Sequence, residues 1–146
     1  MTKRDAQSLS LWIARHSLVV WIGILLNLIF VFSLLFDPGW LLGFFNVPYN
    51  ESLWPRFAGL LLLIVTIFYI PATIDLDRYR VIAWMAILPS RSFGATFFFL
   101  AVFVFDQPPG FIAAILLDGG IGLASLYCLI RVTALERARG LAGEHA

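Results

Sequence analysis

Two ionisable residues stand inside long apolar stretches of this sequence. Arg91 lies within Val81 to Phe105, and Asp118 lies within Gly110 to Ile130. A charge at the middle of a bilayer costs about 2.5–3.5 kcal/mol even on the lenient insertion scale, so each must pair, reach water or change protonation. A guanidinium donates hydrogen bonds and an ionised carboxylate accepts them. Two readings follow. One is an ion pair that fixes the register of two helices. The other is a site for the polar head of a ligand, a quinone carbonyl or a proton. Counted from the segment that joins their two stretches, Arg91 is expected to lie about 9 Å deeper than Asp118, at 1.5 Å per helical residue.

Other small and polar residues fall near them on helical faces. Residues three and four apart share a face. Ala114, Asp118, Gly122 and Ser125 form one such stripe. Ser90, Arg91, Gly94 and Thr96 fall within two turns. Gly59, Thr66 and Thr73, with Tyr69 beside them, form another, and Gly23 and Asn27 mark the first stretch. Arg91, Asp118, Ser90, Thr96, Ser125 and Asn27 together make the candidate intramembrane polar site. Gly119, Gly120 and Gly122 are expected to let a neighbouring helix approach closely. Pro89 is expected to kink its helix and free the carbonyl of Met85.

Much familiar chemistry has no residues to carry it. The chain contains no HExxH, CxxC or GxSxG motif and no glycine-rich loop followed by Lys. His16 is expected near the inner end of the first span and His145 in the tail. With no histidine inside a span, a haem held between two of them is not expected within this chain. Cys128 reads as packing. No catalytic residue, metal ligand or cofactor-binding residue is assigned, which leans against an enzyme. The formal net charge of +1 offers no basic field for nucleic acid.

These residues are positioned by elements written in the composition. Of 146 residues, 61% are hydrophobic and 13% charged, with a mean hydropathy of +0.91. A soluble domain of this size needs more polar surface. Apolar runs at Leu18–Phe36, Phe57–Ile74, Val81–Phe105 and Gly110–Ile130 are long enough to cross a bilayer. They do not alternate, so helices are predicted rather than barrel strands. The fold class is all-α: a bundle of four transmembrane helices forming one membrane domain over residues 1–146. Its first span reads as an uncleaved anchor. Asp37-Pro38-Gly39 opens a short interfacial helix, about 38–46, rich in aromatics and closed by Asn46-Val47-Pro48.

Orientation follows from the basic residues. Lys3, Arg4, Arg15, Arg78, Arg80, Arg131, Arg137 and Arg139 fall on one side, and only Arg56 falls on the other. Both termini are therefore expected in the cytoplasm, with residues 131–146 as a tail that is helical at first and then frayed. The Asp75, Asp77, Arg78, Arg80 cluster reads as a solvated loop on that side.

The successions Leu42-Gly43-Phe44-Phe45-Asn46-Val47-Pro48, then Trp54-Pro55-Arg56-Phe57-Ala58-Gly59-Leu60-Leu61-Leu62, then Asp77-Arg78-Tyr79-Arg80 resemble the DoxX-like group. These are small bacterial membrane proteins with four helices, and the resemblance runs from about Asp37 to Arg131. It implies an inner-membrane protein with a redox association, and any link to quinone comes from the resemblance alone. It carries no catalytic residue onto this chain. The expected partners are the lipid bilayer and other membrane subunits or further copies of the chain. Three functions are left standing. The first is an accessory or scaffold subunit of a bacterial inner-membrane, quinone-linked respiratory complex. The second is an oligomeric transporter or binder of a small lipophilic molecule or ion that uses Arg91 and Asp118. The third is a membrane enzyme acting on a lipid or quinone.

Overall fold

A computed structural model describes the backbone of residues 3–144 and the side chains of residues 7–140. The expectation for His145 therefore lies outside the described residues. The first helix, α1, runs over Lys3–Phe36 and begins well ahead of Leu18. Polarity marks where a bilayer would end, but a helix ends only where its backbone is interrupted. Lys3 to Ser17 contains no glycine or proline to interrupt it. The short α2 spans Pro38–Phe44. Asp37 caps it by accepting the Trp40 amide at 3.1 Å, with Pro38 in the first turn. Asn46 closes it in the left-handed region at φ 53°.

Helix α3 covers Leu53–Ile74. The third long element is composite. Helix α4 (Arg80–Met85) passes into a π-helical turn, Ala86–Arg91, and then into α5 (Ser92–Phe103). Pro89 explains the wide turn: it has no amide to return to Met85, and the helix absorbs the misfit by widening rather than by stopping. At the far side of the turn, the Ser92 amide and hydroxyl both donate to the carbonyl of Ile87, five residues back, the hydroxyl at 3.0 Å. A single 3-10 turn at Pro109–Phe111 leads into α6, Ile112–Glu144. The tail thus remains helical through Glu144, as its Ala, Leu, Arg and Glu favour.

Four of these helical stretches are long and apolar enough to cross a membrane: Gln7–Phe36, Leu53–Ile74, Arg80–Phe103 and Pro109–Gly140. α1 packs against α3 and α6, and α5 packs against α6, as the short connection between them requires. The core is concentrated at the end holding the start of α1 and the last turns of α6. There Leu9, Ala72, Leu76, Ala83, Ile87, Leu129 and Val132 form one buried cluster. Val20, Ile24 and Tyr69 form a second, nearer the middle. Outward, large apolar side chains such as Leu18, Phe32, Phe68, Phe93 and Leu123 are exposed, a surface suited to lipid.

The turn between α3 and α4 is more than a solvated loop. Arg80 forks onto both carboxylate oxygens of Glu136 on α6, the longer contact being 2.6 Å, and also reaches Asp77 at 2.6 Å. The loop cluster is thereby tied to the last long helix, a contact between residues 56 positions apart that local spacing does not announce.

Candidate functional site

The π-helical turn ends on Arg91 and aims it into the bundle, where it is only 5% exposed. Its Nη1 donates to Asp118 Oδ1 at 2.9 Å. Gly122, one turn further along α6, shows how the depth difference closes. A Cβ built there would lie 3.4 Å from Arg91 Cβ. The arginine stem therefore starts one turn below the carboxylate, and the extended side chain climbs the ~5.4 Å pitch to reach it. The pair sits in a fitted socket. A Cβ at Gly94 would come within 2.9 Å of Asp118 Oδ2, and one at Gly23 within 2.5 Å of Arg91 Nη2. Both helices have glycine where the ion pair needs the volume.

Tyr69 forms the other side of the socket. The Arg91 guanidinium carbon lies 5.3 Å from the Tyr69 ring centroid, within cation–π range. The Tyr69 hydroxyl shares a short hydrogen bond with Ser90 Oγ, joining α3 to the π-helical turn. One turn toward the α2 end, Asn27 Nδ2 donates to Thr66 Oγ1 at 3.1 Å, and the Thr66 hydroxyl donates to the Leu62 carbonyl at 2.6 Å. Arg91 Nη2 faces Gly23, is buried and has no hydrogen-bond partner.

Above this layer lies a cavity of about 830 Å³. Arg91, Asp118 and Asn27 line its deep end. Its walls are apolar, with Phe30, Leu34, Leu62, Phe98 and Leu117 among them. The segment joining α2 to α3 lines its other end through Tyr49, Glu51 and Trp54. Such a space falls within the ~300–1,000 Å³ typical of small-molecule sites.

The six residues of the expected polar site separate here. Arg91 and Asp118 pair, Asn27 joins them at the cavity floor, and Ser90 supports them through Tyr69. Ser125 is buried at 2% exposure but is not among the residues lining the cavity. Thr96 is exposed and belongs elsewhere. At five residues from Arg91 it points about 140° away around the helix, at ~100° per residue. The glycine expectation also narrows. Gly122 meets Arg91, Gly119 reaches Ala95 only at 4.0 Å, and Gly120 has nothing within 4 Å.

His16 departs further from expectation. It lies inside the first apolar helix, is 1% exposed, and neither ring nitrogen has a hydrogen-bond partner. It falls in the buried series Leu9, His16, Val20, Ile24 and Val31, which runs along one face of α1 at helical spacing. Among the described residues no group of three or more His, Cys, Asp or Glu side chains is placed to hold a metal ion. No protein-family model, characterised protein or solved structure matches the chain.

Proposed function

We propose that this chain is an integral protein of a bacterial inner membrane, with both termini in the cytoplasm, that binds a small lipophilic molecule. The molecule lies with its head on the Arg91–Asp118 layer and its tail along the apolar walls. The observation that carries this reading is the cavity itself: about 830 Å³ of largely apolar space with an ion pair and an amide at its deep end. An ion pair needed only for helix register is served equally well by a filled bundle, and here the space above it is not filled by side chains. The accessory-subunit reading draws on the exposed Phe and Leu residues, which lipid covers equally well, and on no feature inside the bundle. The binding reading is therefore preferred.

Trp54 at the cavity wall supplies a reporter. An alkyl alcohol carrying bromine at its far end, ω-bromoundecanol, is expected to quench Trp54 saturably in the protein reconstituted in lipid nanodiscs. Trp54→Phe removes that component and identifies its source. Ala114→Phe places a ring in the cavity and is expected to abolish the saturable component while leaving the melting temperature within a few degrees. Quenching that never saturates, or that persists unchanged in Ala114→Phe, would mean that the probe senses only bulk lipid and the reading fails.

A further inference from the structure

The cavity has a cap and walls, and one wall is incomplete. Its α2 end is covered by the close of α2 and the segment that follows. The Phe45 ring stacks on Phe30 of α1 with centroids 5.9 Å apart, and a Cβ built at Gly110 would overlap the Phe45 carbonyl. The cap is thus pinned to α1 and to the turn that leads into α6. Three sides are closed by helix packing: α3 on α1, α1 on α6, and α5 on α6.

The fourth side lies between α3 and the composite third helix. As far as the π-helical turn the two stay together. There α3 packs on α4, the Tyr69 hydroxyl bonds to Ser90, and the Arg91 guanidinium carbon lies 5.3 Å from the Tyr69 ring centroid. Beyond Arg91 they part. α5 keeps to α6, with Phe98 stacked on Phe111 at 5.4 Å between centroids, and makes no extensive contact with α3. The α3 side of this gap carries its signature: Trp54 and Ala58 line the cavity and yet are exposed, Trp54 at 66%. No charged residue occurs in residues 57–74 or in Ser92–Phe103, so the rim suits hydrocarbon rather than water.

Resting on the cavity-binding reading above, we infer that the cavity opens sideways into the bilayer between α3 and α5 and takes the polar end of a long-chain lipid whose remaining length stays in the membrane. The polar end rests on the Arg91–Asp118 layer, and the chain leaves through the gap past Ala58. Methylenes beyond the cavity then remain in lipid and change the affinity little. A chain leaving past the cap would instead lose about fourfold in affinity for each methylene brought into water.

The decisive probe is a phosphatidylcholine with one ω-hydroxypalmitoyl chain, a molecule too large to lie wholly within about 830 Å³. Its displacement of ω-bromoundecanol, read by recovery of Trp54 fluorescence in nanodiscs, is compared with that by undecanol and by the same lipid without the hydroxyl. All are compared as mole fractions of lipid. The hydroxy-lipid is expected to displace the bromoalcohol saturably, within about tenfold of undecanol and about tenfold or more better than the plain lipid. Ala58→Phe sets a ring in the gap and adds no tryptophan. It is expected to weaken the hydroxy-lipid about tenfold or more and undecanol, which leaves no long chain in the gap, less than about threefold. Displacement by undecanol but not by the hydroxy-lipid overturns the inference and leaves the cavity reading standing. So does equal displacement by the plain lipid, or a hydroxy-lipid affinity unchanged in Ala58→Phe. If ω-bromoundecanol itself does not quench saturably, it is the cavity reading that has failed, and this inference falls with it. The wild-type comparison decides the matter even if Ala58→Phe does not fold.

Discussion

The two ends of the bundle solve different problems with the same four helices. At the end shared by the start of α1 and the close of α6, apolar side chains meet across every interface, and Leu129 and Val132 have no exposed surface. At the α2 end the helices enclose a cavity, and polar side chains are spent on one another beneath it. Each end also holds an arginine–carboxylate contact. Arg80 forks onto Glu136 near the bundle surface, 31% exposed, whereas Arg91 meets Asp118 at 5% exposure. The same chemistry makes a peripheral fastening in one place and, in the other, a charge layer that must be complete to be tolerable.

Breaking the inner pair tests that difference most severely. Asp118→Leu leaves Arg91 buried without its carboxylate and is expected to cost about 3–5 kcal/mol in denaturant unfolding of the purified protein. Arg91→Met/Asp118→Leu is expected to recover most of that loss. If the single and double variants are equally unstable, the pair contributes net stability of its own and is not merely self-compensating. The packed end should come next. Leu129→Ala opens a void where no side chain can collapse and should cost about 2–3 kcal/mol. That is the lower part of the range for such truncations, because lipid offers little hydrophobic drive for helix association. Leu117→Ala borders space that is already open and should cost under about 1 kcal/mol. Equal losses at the two positions would show that the cavity collapses in solution.

A smaller effect sharpens the account of the socket. Gly23→Ala places a methyl where Arg91 Nη2 sits, so the guanidinium must move. The expected cost is about 1–2 kcal/mol, with a larger fractional loss of probe binding than of stability. The outer pair should give the least. Arg80→Gln is expected to lower global stability by ~1 kcal/mol or less, since the contact is screened by solvent. It should also speed amide hydrogen exchange locally in the Asp75–Tyr79 turn. A loss as large as that of Asp118→Leu would erase the distinction between the two pairs.

Much of the site was legible in the sequence, and the unread parts share a cause. Arg91 and Asp118 announce themselves because a charge inside an apolar run demands an explanation. Asn27 and Tyr69 follow from face periodicity. Thr96 was misplaced because proximity along the chain is not proximity around a helix. The burial of His16 is not legible in the sequence because the end of an apolar run is not the end of helix packing. Arg80 and Glu136 are 56 residues apart, and no local pattern connects them.

The sequence by itself determined that there are four long apolar helices, which of them are joined tightly, where α2 is capped, and that two buried charges must be reconciled. Each of these is a consequence of local hydropathy, backbone chemistry or the cost of desolvating a charge. Only the tertiary structure decided that the arginine starts one turn below its partner and climbs to it. It also decided that glycines on α1 and α5 leave room for the pair, and that Asp118 is the more exposed of the two side chains. Those outcomes depend on how helices distant in the chain are rotated and offset against one another. A widened turn at Pro89 sets part of that rotation, and no single helix encodes the rest.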